Sequence, residues 1–249
     1  MTPNAIERAL RHDRGVIAIA LVVVTVLCWA PMVASGGDGA PPPCCLPRLG
    51  PVAAMWATMM VGMMLPAASP MVLTHAAVVR RRHGAAPFAS SAALLAGYLS
   101  VWLGFSGLAA LAQVGLHRAA HLYGPTLALG PLAGAAVLLA AGLFQLVPAK
   151  TVCLERCRSP VGYLFTSWRD GRSGALAIGI KHGAFCLGCC WLLMAVPFAL
   201  GIMDLFWALS LTAFIVAEKV APWPRAVAWT GGALSLAGAA RLFVSALSK

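Results

Sequence analysis

Five stretches of the chain contain no lysine, arginine, aspartate or glutamate: residues 15–37, 49–79, 83–117, 119–149 and 182–203. Each is long enough for a helix that crosses a bilayer, which needs about 20 apolar residues. The pattern predicts spans over about 15–33, 51–73, 91–113, 125–147, 174–197 and 203–217, with a seventh from Pro222-Trp223-Pro224 to about 244. The last two are short or interrupted, so six spans is the alternative count. Residues 116–123, with His117 and His121 four apart, read as a short interfacial helix or loop. The connection 148–173 is the longest polar one and is expected to have structure at the cytoplasmic face. The fold class expected is all-α, a polytopic transmembrane helical bundle of about seven spans, with no internal repeat and no separable soluble domain.

Composition agrees with the pattern. Of 249 residues, 61% are hydrophobic and 10% charged, against about a quarter charged in a soluble domain. A single soluble domain, disorder, collagen and coiled coil are thereby excluded. The net charge of +11 would point to nucleic acid in a soluble chain, but here topology explains it. Arg8, Arg11, Arg14, Arg80, Arg81, Arg82, Lys150, Arg156, Arg158, Arg169, Arg172, Lys219 and Arg225 fall on one set of alternate connections. Arg48, Arg118, Arg241 and Lys249 fall on the other set, with Lys181 unassigned. Lys and Arg collect in cytoplasmic loops, which gives a cytoplasmic N-terminus and no nucleic-acid partner. The basic flank of the first span and the later Val-Ala-Ser stretch resemble a cleavable signal peptide; a retained signal anchor is the favoured reading.

Three segments carry candidate chemistry. In the second span, Met55, Met59 and Met63 share one helix face and Met60 and Met64 form a ladder beside it, because residues four apart lie one turn apart. Thioether is a soft, neutral ligand suited to Cu(I). Methionine is also an adaptable packing residue, but five of the ten methionines fall within ten positions, which favours metal handling. In the fifth span, His182, Cys186 and Cys189 or Cys190 share a face, with Met194 one turn further. Three thiols and an imidazole at membrane depth are costly and make a functional site the default reading. The third segment holds Cys153 and Cys157 in a connection expected to be cytoplasmic and reducing. Alone the pair is an incomplete site, since zinc wants four ligands; it joins the span-five residues only if the fold brings them together.

The remaining cysteines and acids have plainer readings. Cys44 and Cys45 lie in a Pro-rich exported loop where a disulfide is permitted. Glu218 beside Lys219 reads as a local ion pair or helix-end cap, Asp204 as a helix cap, and His75 as an interfacial residue at a span end. No phosphate loop, Ser–His–Asp order, His-Glu-x-x-His or dinucleotide fingerprint is present, so no enzymatic activity is assigned.

With these segments in view, the chain resembles the predicted metal-binding integral membrane proteins grouped as domain of unknown function 2182. The resemblance rests on Met55-Trp56 with Met59-Met60, Met63-Met64, Pro66 and Pro70, then Gly97-Tyr98 with Trp102. It continues through Gln145, Pro148, Lys150, Cys153-Leu154, Cys157-Arg158 and Pro160. Its last block is Gly183, Gly188-Cys189-Cys190-Trp191, Leu193-Met194, Phe198, Gly201, Met203 and Glu218-Lys219. It covers about residues 51–220. Asp204 and Ala208 depart from the family pattern of Asn and Met. The resemblance implies a multi-pass protein of the bacterial inner membrane with a metal site. It divides the chain into 1–50, a signal-anchor span with an exported Pro/Cys loop, and 51–249, a metal-binding-like helical domain.

The metal expectation is Cu(I), from ligand softness, with Met55, Met59, Met60, Met63, Met64, His182, Cys186, Cys189, Cys190, Met194, Cys153 and Cys157 as candidate ligands; zinc and iron stay open. The function expected is transport or delivery of that metal. The alternatives are a membrane thiol-redox protein and a non-metal assembly or scaffold subunit. Partners expected are the lipid bilayer and a copper enzyme or metal chaperone, with oligomerisation left open.

Overall fold

The computed structural model describes residues 3–34, 48–84, 86–119, 121–123, 127–202 and 204–248, with side-chain surroundings from His12 onward. Cys44, Cys45, Pro125 and Met203 lie outside the described residues. The described residues are all-α apart from one tiny antiparallel pair. In order come α1 (Pro3–Ala34), α2 (Leu49–His83), α3 (Phe88–Arg118), strands β1 (Leu122–Tyr123) and β2 (Ala128–Leu129), and α4 (Pro131–Phe144). Then follow α5 (Pro148–Arg158), α6 (Pro160–Ser167), α7 (Gly171–Cys190), a 3-10 turn at Leu193–Ala195, α8 (Val196–Leu200), α9 (Leu205–Val220) and α10 (Pro224–Leu247).

Among the described residues, five helices are long and apolar enough to cross a membrane: α1 over His12–Ala34, α2, α3, α7 and α10. A sixth arises if α4 and α5, bent by 67° at their junction, count as one broken span. The expected span over 203–217 corresponds to α9, whose 16 residues rise about 24 Å, less than the roughly 30 Å hydrocarbon core. The connection after residue 148, expected to have structure, forms α5 and α6, and α5 buries Lys150, Leu154 and Cys157 against the bundle.

Proline sets most of the breaks. It stands in the first turn of α4, α5, α6 and α10, where its missing N–H is not needed. Inside α2 the effect is different. Pro66 and Pro70 cannot donate to Gly62 O and Pro66 O, the carbonyls four residues back. Trp29 Nε1 of α1 donates to Gly62 O at 3.3 Å, and Ser69 Oγ donates to Pro66 O at 2.8 Å. With both carbonyls satisfied, α2 runs unbroken for 35 residues. Arg80 pairs with the buried Asp13 at 2.6 Å and ties the other end of α2 to α1.

The tightest helix pair is α3 with α7. A Cβ on Gly97 would sit 2.2 Å from Leu176 O, and one on Gly179 would sit 1.9 Å from Leu94 O. The two backbones therefore touch directly, the close approach that small residues allow in membrane helices. The paired positions rise together along both chains, so α3 and α7 run parallel and hold Tyr98 level with Gly183.

Candidate metal centre

Gly171–Cys190 forms a single helix, so His182, Cys186, Cys189 and Cys190 do occupy one region of α7, and all four are buried. Met194 is not on the same helix, because α7 ends at Cys190 and the chain tightens into a 3-10 turn. It is nevertheless fully buried in the same core as the thiols. The new element is α5. It lies against α7, with Cys153 Sγ seated where a side chain on Gly188 would be, 3.1 Å from the position of its Cβ. One turn later Cys157 is buried in the same cluster as Cys186 and Cys189. Cys189 Sγ and Cys190 Sγ donate to the Cys186 carbonyl at 3.1 and 2.9 Å. Their thiols thus point at backbone and do not surround a common centre. Among the described residues no three His, Cys, Asp or Glu side chains converge into a formed cage.

Around these thiols the bundle places charge. Lys219 of α9, 8% exposed, donates from Nζ to Cys186 Sγ at 2.9 Å. Tyr98 Oη lies 3.1 Å from the same sulfur and donates to Met64 O at 3.3 Å, so Tyr98 links α7 to the methionine helix. Glu218 does not pair with its neighbour Lys219, because adjacent helix residues face different directions. Glu218 Oε1 instead accepts from Lys150 Nζ at 2.5 Å, and Lys150 also donates to Gln145 Oε1. Arg158 completes the junction by donating to Glu218 O and Ala221 O, both at 2.6 Å. Those carbonyls belong to the last turn of α9, which has no intrahelical donors for them. The two polar residues read as a local pair therefore serve two different neighbours. Asp204 does cap α9, its Oδ1 accepting from Trp207 N at 3.2 Å.

The methionines occupy the adjoining part of the same core. Met59, Met60, Met63 and Met64 are buried together with Cys157, Cys186, Cys189, Cys190 and Met194. Met55 lies at the margin, partly exposed, and Cys153 is half-buried. The surroundings here are neutral: Trp56 Nε1 donates to Gln113 Oε1 at 2.6 Å, and the Trp56 ring stacks on Phe198 at 5.3 Å. His182 is buried with Nδ1 unpartnered, its ring 5.7 Å from that of Tyr98 and 5.9 Å from that of Tyr163.

Chemically the region offers buried soft donors in two forms, thioether and thiol, with a cation already against one sulfur. Two or three thiolates are enough for Cu(I), whereas structural zinc takes four ligands in a tetrahedron. Sequence reasoning missed Lys219, Tyr98 and the Lys150–Glu218 pair as parts of this region. Lys150, Glu218 and Lys219 were visible as charges within or beside apolar runs, the one local signal available.

A family model described as a copper chaperone, PpoB2, matches residues 53–241. No curated protein and no solved structure matches the chain. The matched range contains every candidate ligand from Met55 to Met194, together with Tyr98, Lys150, Glu218 and Lys219. The chain belongs to this copper chaperone family.

Proposed function

We propose that the protein is a membrane-embedded chaperone that binds Cu(I) at Cys157, Cys186, Cys189 and Cys190 and hands it on, by ligand exchange, to a copper enzyme or a second metal chaperone. The observation that supports this reading is the shared burial of Cys157 on α5 with Cys186, Cys189 and Cys190 on α7, where Cys153 of α5 sits against Gly188. Thiolate is a preferred Cu(I) donor, and a Cu(I) ion held by two thiolates bears one net negative charge. The Lys219 ammonium beside Cys186 balances that charge where water is scarce. Cys189 and Cys190 leave the Cys186 carbonyl when metal arrives, at the modest net cost of two thiol hydrogen bonds. That rearrangement keeps the site from being a deep trap, as transfer requires.

Met55, Met59, Met60, Met63 and Met64 form the weaker, proton-independent arm of the pathway, and His182, Met194 and Cys153 flank the thiols as auxiliary ligands. The asymmetry of Lys and Arg places the N-terminus in the cytoplasm and the Met55 end of α2 on the exported side. The resemblance to metal-binding integral membrane proteins of domain of unknown function 2182 supports a bacterial inner-membrane location.

The test is elemental analysis of the anaerobically purified protein after exposure to Cu(I), beside Cys157→Ser and the double variant Cys189→Ala/Cys190→Ala. Near-stoichiometric copper in the parent and its loss in both variants is the expected result. Copper retained in full by both variants would overturn the thiol assignment, and zinc or iron in place of copper would overturn the metal.

A further inference from the structure

A second pair of soft donors lies on α2 beyond the thiol cluster. Met60, Met64, Met71 and His75 are spaced by four, seven and four residues, each close to a whole number of turns, so they form one stripe. Met71 and His75 are 2% and 1% exposed. His75, near a span end, is thus covered by the bundle itself. Its Nδ1 has no hydrogen-bond partner, although a buried polar group normally has one. The imidazole stacks on Trp168, ring centroids 5.5 Å apart, and a helical side chain leans toward the preceding turn, which here carries Met71. Trp168, which covers His75, also lines a groove of about 340 Å³ with Thr74, Val78, Arg81, Arg82 and Phe165, and neither Met71 nor His75 is part of that lining.

We propose that Met71 and His75 form a second Cu(I)-binding position, distinct from the thiol cluster. The inference rests on the Cu(I) reading above. Neutral imidazole and thioether are a competent soft pair for Cu(I), and a metal ion would give the unpartnered nitrogen its missing contact. Met64, level with the thiols through Tyr98, and His75 are eleven residues apart, about 16 Å along the helix, too far to share one ion. With no anionic ligand, the position holds Cu(I) more weakly than thiolates do, as suits a loading or unloading step at that end of α2.

The experiment titrates the full-length protein in detergent with Cu(I), anaerobically and against a chromophoric Cu(I) chelator. The ultraviolet thiolate-to-Cu(I) charge-transfer band is followed in parallel. His75→Phe keeps a ring against Trp168, and Met71→Leu is nearly isosteric. The parent is expected to take up a second equivalent that adds nothing to the thiolate band. Both variants should bind that equivalent at least about tenfold more weakly, with the first equivalent and its band unchanged. A second equivalent untouched in both variants, or none in the parent while the band is present, overturns the proposal. A missing band with a His75-dependent equivalent intact would overturn the thiol reading instead and leave this position standing. No Cu(I) uptake at all overturns both.

Discussion

The methionines of α2 and the cysteines of α5 and α7 are both buried soft donors in one core, yet their surroundings differ in kind. The methionines come from a single continuous helix, and their neighbours Trp56, Tyr98 and Trp102 are neutral. The cysteines come from two helices and lie against Lys219, with the Lys150–Glu218 pair on the adjoining turns of α5 and α9. The difference follows from charge more than from softness. A thioether has no proton to lose, so an apolar shell suits it whether or not metal is present. A buried thiolate has to be compensated, and the compensation must come from elements able to carry a cation into the bundle.

The comparison breaks most sharply at Glu218. Replacing it by Ala leaves the Lys150 ammonium buried without its partner, and breaking such a pair costs about 3–5 kcal/mol. Thermal unfolding in detergent should show a large loss for Glu218→Ala; an unchanged melting curve would mean the pair contributes nothing to the thiol region. Next comes the packing that holds the two regions in register. Gly179→Ala puts a methyl 1.9 Å from Leu94 O and should cost about 3 kcal/mol by forcing α3 from α7. Gly62→Ala on α2 meets Cys28 and Trp29 side chains at 3.2 Å and should cost distinctly less in the same assay. Equal losses would remove the distinction between backbone and side-chain contact.

Lys219→Met probes the counter-charge itself. Loss of a hydrogen bond to a charged group is worth about 1.5–3 kcal/mol, so Cu(I) affinity in a chelator competition should fall about tenfold to a hundredfold. The double variant Met59→Leu/Met63→Leu should change stability by less than about 1.5 kcal/mol and weaken Cu(I) by less than Lys219→Met does; the reverse order would make the methionines the principal site. The two kinds of donor also separate by acidity. Thiols release protons when they bind metal, so parent affinity should decline from about pH 8 to pH 5. With Cys157, Cys186, Cys189 and Cys190 all changed to Ser, the residual uptake by methionine should be nearly flat over that range.

The apolar runs made α2, α3 and α7 legible from the sequence, because a span writes its length directly into hydropathy. Methionine spacing was equally readable, since Met59, Met60, Met63 and Met64 are local to one helix. What escaped was the burial of α5. Lys150, Glu155, Arg156 and Arg158 within eleven residues look like a solvated connection, whereas the helix packs on α7 and its Lys150 and Arg158 find partners on α9, sixty or more residues later. A separation of 33 residues from Cys186 likewise hid Lys219. Next to Glu218 in the sequence it looked neutralised, whereas the helix turns the two side chains toward different neighbours. Long-range partners of this kind leave no periodic trace.

The contact between Lys219 and Cys186 has a consequence for how the protein is made. Tyr98, Cys157, Cys186 and Lys219 come from four separate helices in chain order, and the last is α9. During synthesis, the three α7 cysteines are therefore made before the lysine that reaches Cys186. This arrangement of thiol, phenol and ammonium exists only after nearly the whole polypeptide has been translated, so loading of the proposed metal site in this form would also report that assembly is finished.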